Sequence, residues 1–173
     1  MKNIKIYIIA LFYLILTSNS YSQNIVYANL DTIIKTSDVG KKIIVFFKDK
    51  NNKLNKEYKN KEKIIRQNEA SLISQKNILE NEEYIKKANE INQEINKFNL
   101  EYNQKMKEIN FQKDEVLKSF QNEINKILKE FAENNNIDII LSSNQMLIGK
   151  SNMDVTDEIL KNVNNKIKNF NIN

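Results

Sequence analysis

Five basic side chains lie close together in one short stretch of this chain: Lys56, Lys59, Lys61, Lys63 and Arg66. So dense a cationic segment attracts acidic polypeptides or phosphate-bearing lipids, at a rate that falls as the ionic strength rises. Alternatively, these residues form a solvated helix face that pairs with Glu90, Glu94 and Glu101 of a returning helix. Both interpretations stay open, because a helix has more than one face.

Catalytic chemistry has few residues to use. The chain contains no histidine and no cysteine, which excludes the usual metal-ligand clusters, the common nucleophile–base pairs and the histidine switch. Adjacent carboxylates occur at Glu82/Glu83 and at Asp157/Glu158, but acidic residues are also what the positive end of a helix favours. We therefore expect no enzyme, no cofactor and no metal site.

Residues 1–22 have the pattern of a secretory signal peptide. Lys2 and Lys5 precede an apolar run from Ile6 to Leu16, and small, polar residues follow it. About eleven apolar residues fall short of the roughly 20 that span a bilayer, so a membrane anchor is the weaker alternative. We expect export, with cleavage near Ser22/Gln23.

A long segment without helix breakers comes next. Between Gly40 and Gly149 the chain has neither glycine nor proline. Only a helix makes so long a polar segment self-sufficient in backbone hydrogen bonds. The sequence predicts an antiparallel helical hairpin over residues 41–134, an arm on the order of 60 Å long. Its turn is expected near residues 77–83, with Asn81 capping the second helix.

Apolar residues recur about every 3.6 positions on both helices and form two stripes. The first is interrupted by polar residues: Ile43, Phe47, Lys50, Leu54, Tyr58, Lys61, Ile65, Asn68, Leu72, Gln75 and Leu79. The second is interrupted once, by Lys113: Tyr84, Ala88, Ile91, Ile95, Phe98, Tyr102, Met106, Ile109, Lys113, Val116, Phe120, Ile124, Ile127 and Phe131. Residues 41–81 carry 11 basic and 5 acidic side chains, and residues 82–134 carry 9 and 11. The pattern predicts a basic first helix and an incomplete apolar seam.

The segments that flank the arm, residues 23–40 and 135–173, favour a small β-rich body. Strands are predicted at 24–30, 137–141 and 146–148. A brief helix capped by Asp31 or Thr32 and a loop over 37–40 precede the arm. A short helix follows Asp154, and the chain is expected to fray from Asn165 onward. Because so small a sheet leaves open edges, we expect several copies to share one through Ile25, Tyr27, Ile139, Leu141, Met146 and Ile148.

The chain resembles the OmpH-like periplasmic chaperone family, known also as Skp. The resemblance is strongest in IVYANL from Ile25 to Leu30 and in NIDIILSSNQMLIGKSNMDVTDEILK from Asn136 to Lys161. It implies an α+β, mostly α fold: a homotrimer whose central β-barrel body carries three helical hairpins around a cavity. Family members hold unfolded outer-membrane proteins in that cavity without ATP, and related members associate with lipopolysaccharide or anionic lipid.

The resemblance implies an ATP-independent holding chaperone in the periplasm. No nucleic-acid partner is expected, because export removes most nucleic acid and aromatic residues are not interleaved with the lysine run. Candidate contacts for clients or anionic lipid are the five basic residues named above and apolar residues outside the stripes: Ile64, Ile73, Ile78, Ile85 and Phe111. Ile44 to Phe46 are expected to seal the root of the arm against the body. Two other functions stay open: a structural coiled-coil spacer of the cell envelope, and a basic polyanion- or lipopolysaccharide-binding protein.

Overall fold

A long helical hairpin and a small mixed body make up the structure, a computed structural model that describes residues 23–172; the predicted signal peptide lies outside the described residues. The elements in chain order are β1 (Ile25–Ala28), α1 (Leu30–Thr36), α2 (Asp38–Ser74), α3 (Asn81–Asn134), β2 (Ile139–Ser142) and α4 (Thr156–Lys166). At 1.5 Å per residue, α2 is about 55 Å long and α3 about 80 Å. The predicted fold class, α+β and mostly α, is confirmed.

Two of the predicted helix caps are wrong. Asn29, and not Asp31 or Thr32, caps α1, because its side-chain oxygen accepts a hydrogen bond from the backbone N–H of Thr32 at 2.9 Å. At the tip of the arm, α3 already includes Asn81, and Glu80 holds the N-cap position without a side-chain hydrogen bond. The acidic first turn of α3 supplies the favourable charge that a side-chain cap would otherwise add.

The expected loop over residues 37–40 is the first turn of α2. The Ser37 hydroxyl accepts a hydrogen bond from the N–H of Gly40 at 3.2 Å and so starts the helix three residues earlier than expected. Gly40 does not mark a loop. A Cβ atom at this position would lie 1.6 Å from the carbonyl oxygen of Ile34, so the glycine is what lets α1 and α2 approach each other.

The sheet consists of two parallel strands. Ile25 pairs with Ile139 and Tyr27 with Leu141 in the ladder. Since side chains alternate between the faces of a strand, these four residues share one face, and the intervening residues of β1 are buried against the core.

The third predicted strand, residues 146–148, is wrong for the described chain. A strand exists only as a member of a ladder, and no backbone group of this segment joins one within residues 23–172. Instead, 3₁₀ turns at Ser143–Gln145 and Ser151–Met153 flank an irregular segment. Leu147 and Ile148 project from it, 105% and 92% exposed.

The hydrophobic core lies where the body meets the root of the arm. Its fully buried apolar side chains come from α1, α2, α3 and α4: Ile33, Ile43, Phe120, Ile124, Ile159 and Val163. The expectation of fraying from Asn165 onward is wrong, because α4 continues to Lys166 and the residues after it pack on this core. Within residues 23–172, no helix combines the length and apolar character needed to cross a bilayer.

Candidate functional site

The two helices of the arm bury their apolar stripes unequally. On α2, every apolar stripe residue from Ile43 to Leu72 is buried. On α3, the buried stripe residues all lie between Ile109 and Phe131. Toward the tip, seven stripe residues of α3 are only half-buried: Tyr84, Ala88, Ile91, Ile95, Phe98, Tyr102 and Met106. The arm therefore has a well-packed root half and an open distal half.

Polar residues of α2 explain this opening. In the distal half, the α2 stripe alternates buried Ile65 and Leu72 with Lys61, Asn68 and Gln75. The facing α3 residues therefore find less apolar surface to pack on than they do in the root half. Grooves lie at these same positions. The middle groove, of about 300 Å³, is lined by Lys61, Ile64, Ile65, Glu94, Lys97, Phe98 and Glu101. The tip groove, of about 390 Å³, is lined by Asn68, Ser71, Leu72, Gln75, Lys87, Glu90, Ile91 and Glu94.

An aromatic cluster marks the boundary between the two halves. The ring of Tyr58 on α2 lies 5.3 Å from that of Phe98 and 5.1 Å from that of Tyr102, both on α3. The ammonium groups of Lys61 and Lys105 lie 4.8 and 5.6 Å from the same ring. Such cation–π contacts, together with the buried Tyr58 ring, hold the helices together at mid-arm.

The basic stretch makes few ion pairs. Lys61 pairs with Glu57 at 3.1 Å and Arg66 with Glu62 at 2.7 Å, both within α2. The three remaining lysines, Lys56, Lys59 and Lys63, make no ion pair with any described residue, and all are exposed. Spaced three and four residues apart, they share the face of α2 that is opposite its buried stripe. We call this face the lysine ridge.

The expected ion pairs of the basic stretch with the returning helix are absent from residues 23–172, although the charge of Glu101 acts on Lys61 across the seam. Glu90 and Glu94 make no ion pair with a described residue, and Glu101 pairs within its own helix with Lys97, at 3.9 Å. The lysine ridge points away from α3, which leaves it out of reach. A bridge between the two helices has the opposite polarity: Lys105 of α3 lies 3.7 Å from Glu57 of α2.

Three charged groups of the arm, Glu57, Lys61 and Arg66, have shifted pKa values. The hydrogen bond from Lys61 and then the charge of Lys105 lower the pKa of the Glu57 carboxyl. The same hydrogen bond raises the pKa of Lys61, and the hydrogen bond with Glu62 raises that of Arg66. These groups are solvent-exposed, so they shape the surface potential and add little to stability. Within residues 23–172, no cluster of carboxylates is placed to hold a metal ion.

The apolar residues singled out from the sequence are all exposed, but they do not form one surface. Ile64, 55% exposed, lines the middle groove. Ile73, Ile78 and Ile85 are 66%, 81% and 50% exposed and lie around the tip. Phe111, 65% exposed, belongs to the root half of α3. These five apolar residues therefore stay predicted client contacts, and they lie in three separate places: the middle groove, the tip and the root half of α3.

The expected seal at residues 44–46 is present only in part. Phe46 packs against the core, and its ring meets that of Phe47 edge-on, with ring centroids 5.1 Å apart. Ile44 and Val45 are exposed. The two residues before Phe46 on α2 therefore do not seal the root within this single copy.

Two apolar residues of α3 that line the grooves, Ile91 and Phe98, were predicted as stripe residues of the incomplete seam and not as candidates for client contacts. The antiparallel register could have found them, since it sets them opposite polar stripe positions of α2. Leu100, exposed on the outward face of α3, was also missed.

In the body, most of the residues predicted to join copies lie together. Ile25, Tyr27, Ile139 and Leu141 share the outer face of the sheet. Met146 lies close to Tyr27, and both pack around Gly149. A Cβ atom on Gly149 would lie 2.6 Å from the Met146 methyl group and 2.7 Å from the Tyr27 ring. Ile148, by contrast, projects into solvent from the irregular segment.

The fold and these open surfaces define an arm-bearing α+β protein that exposes apolar surface both on its arm and on its sheet. A family model described as Outer membrane protein (OmpH-like) matches residues 24–163. The chain therefore belongs to the OmpH-like family, as its terminal segments predicted. No curated protein matches it.

The fold is also similar to a crystal structure from Caulobacter crescentus CB15, of a protein assigned provisionally as an outer membrane chaperone (OmpH-like). The two chains are 15% identical, the TM-score is 0.79, and the match covers 90% of this chain and 92% of that chain. At this identity the similarity shows the fold alone.

Proposed function

We propose that this protein is an ATP-independent holding chaperone of the periplasm that keeps unfolded outer-membrane proteins from aggregating. Membership of the OmpH-like family supports a chaperone role. The observation that carries the proposal is the open distal half of the arm, where α3 leaves seven stripe residues half-buried. A structural spacer would bury that stripe in its own seam, so this observation disfavours the spacer alternative.

Binding begins with attraction and continues with many weak contacts. The lysine ridge draws in acidic segments of a client at long range. The middle and tip grooves then hold apolar side chains in shallow sites that select no particular sequence. No ATP is used, and members of this family are in general not enzymes. A client leaves when it folds into the outer membrane, because folding buries the side chains that the grooves hold.

A homotrimer completes the site in this proposal. A sheet of two short strands is marginal in water, and here its outer face is apolar. Sharing that face among three copies would cover Ile25, Tyr27, Ile139 and Leu141 and bring three arms around one cavity. Affinity for a client then comes from several arms acting together.

The test of the function uses the mature chain and a urea-unfolded outer-membrane barrel protein. On dilution of the urea, we expect the protein to suppress light scattering by the client. The variant Ile91→Ser/Phe98→Ser, which removes groove-lining side chains, should suppress it less well. Leu100→Ser is the matched control, because Leu100 is 60% exposed but lines neither groove. If the client aggregates equally fast with and without the wild-type protein, the proposal is wrong.

The trimer is tested separately by analytical ultracentrifugation. We expect a trimer for the wild type, and a smaller species for Tyr27→Lys/Leu141→Glu, which places charges on the outer face of the sheet. A stably folded wild-type monomer would rule out the shared body.

A second function, binding of lipopolysaccharide or another anionic lipid, is favoured by the unpaired lysine ridge. Lys56→Gln/Lys59→Gln/Lys63→Gln should weaken binding to anionic vesicles and flatten its dependence on salt. Binding that is equally strong in high salt would count against this role. Client binding measured at increasing salt concentrations separates the two functions, because apolar contacts in the grooves depend on salt far less than attraction between charges does.

A further inference from the structure

Residues 167–172, which we call the strap, follow α4 and lie across the root of the arm. They contain no regular secondary structure, yet Ile167, Phe170 and Ile172 pack against the hydrophobic core. The ring of Phe170 meets that of Phe120 edge-on, with centroids 5.3 Å apart. The family model ends at residue 163, so the strap lies outside the matched part of the chain.

The strap fills a position against Phe120 that we call the root groove, and it supplies most of the lining of the cavities on either side of itself. Val39 and Lys42 of α2 form one edge, together with the strap itself. Glu123 of α3 and the end of α4 lie along the other. Lys166, the last residue of α4, forms an exposed ion pair with Glu130 of α3 beside the start of the strap. With the strap in place, Phe120 is completely buried.

The strap shows which kind of peptide this groove accepts. At its end the burial alternates: Phe170 and Ile172 are half-buried, and Asn169 and Asn171 are exposed. Alternation of apolar and polar residues in a chain that is not helical is the pattern of a β-strand with one buried face. An unfolded outer-membrane barrel protein consists largely of such segments.

We propose that the strap occupies in cis a binding site for extended, alternately apolar segments of a client, and thereby restricts access to it. This inference rests on the proposed function, which supplies the client. A client segment binds when the strap has left, so the apparent affinity of the site is reduced by the fraction of molecules in which the strap is open. The root groove is then a regulated site, separate from the open grooves of the distal arm.

The experiment uses full-length mature protein and a fluorescent peptide with the sequence of residues 166–173. The variant Phe170→Ser/Ile172→Ser keeps the length of the strap but removes two of its apolar contacts. We expect the peptide to bind this variant at least about tenfold more tightly than it binds the wild type. A peptide in which serine replaces the phenylalanine should not bind. Urea-unfolded barrel protein should displace the bound peptide from the variant.

A milder variant guards against misfolding of the root. Phe170→Ala loses the ring contact with Phe120 but keeps Ile167 and Ile172, and its helix content should equal that of the wild type by circular dichroism. It too should bind the peptide more tightly than the wild type does. Equal peptide affinity in the wild type and in both variants would overturn the proposal.

Failure to displace the peptide with barrel protein would also overturn it, because the strap would then be only a structural seal. These outcomes are distinct from failure of the proposed function. A wild-type protein that suppresses client aggregation while its variants bind no peptide refutes the strap proposal alone. A wild-type protein that does not suppress aggregation refutes the holding-chaperone function itself.

Discussion

The root half and the distal half of the arm have the same apolar periodicity but different packing. Near the body, Phe120 and Ile124 of α3 are fully buried among residues of four helices. Toward the tip, Ile91 and Phe98 continue the same stripe and are only partly buried. The difference comes from the partner helix, because α2 faces them with Asn68 and Lys61. An apolar stripe thus predicts which residues can be buried. How far each of them is buried depends on the residues of the facing helix.

The largest expected effect compares one phenylalanine in each half. Phe120→Ala should lower the free energy of unfolding by about 3–5 kcal/mol, because it leaves a cavity in a closed core. Phe98→Ala should lower it by only about 1–2 kcal/mol, since its ring is partly exposed already. Urea denaturation of both variants measures the two values. Equal losses would show that the halves do not differ in packing.

The next comparison uses neighbours on α2, one buried and one exposed. Ile65 is 6% exposed and Ile64 is 55% exposed. Ile65→Ala should destabilise the protein by about 2–3 kcal/mol, and Ile64→Ala by no more than about 0.5 kcal/mol. Both residues line the middle groove, but Ile64 exposes far more of its side chain to a client, so client binding should fall more for Ile64→Ala when both variants are assayed folded. An Ile64→Ala variant with unchanged client affinity would remove the middle groove from the site.

A third variant closes the distal half instead of opening the root. Asn68→Leu gives α2 an apolar side chain opposite the stripe of α3, which should raise the free energy of unfolding by about 1 kcal/mol. The same change fills the tip groove and should weaken client binding. Asn60→Leu, at an exposed position away from both grooves, is the matched control. Stronger client binding by Asn68→Leu would contradict the role given to the groove.

The smallest effect concerns the charges at the boundary between the halves. Because the pKa of Glu57 is lowered in the folded protein, its contribution to stability is present above the ordinary glutamate pKa of about 4.3. It is lost as the pH falls through the lower, folded value. Glu57→Gln should therefore be slightly less stable than the wild type at pH 7 and equally stable in strong acid. A deficit that persists unchanged in strong acid would need another cause than this charge.

Sequence reasoning succeeded where structure is set by neighbours along the chain. The 3.6-residue period placed both stripes, because one helix face is fixed by spacing alone. The helix starts at Asn29 and Ser37 were missed, since several residues in each stretch are competent caps. Gly40 was predicted to lie in a loop, but a glycine is needed there because α1 approaches the backbone of α2 too closely for a side chain.

Features that depend on distant parts of the chain could not be predicted in this way. The ion pair that joins α3 to α2, Lys105 with Glu57, depends on how the two helices are rotated against each other, which the sequence of each helix alone does not give. The strand at residues 146–148 needs a partner edge that the described single chain does not give it. The strap was expected to fray because the sequence does not show that its few apolar residues pack against Phe120, which is distant along the chain.

The contact between Gly40 and the Ile34 carbonyl has a mechanical consequence. It lies at the joint where α1 passes into α2, so it sets the direction in which a helix about 55 Å long leaves the body. Any side chain at this position would push the joint apart, and a long lever turns a small rotation at its base into a large displacement at its end. The direction in which the arm leaves the body therefore depends on the absence of a methyl group at Gly40.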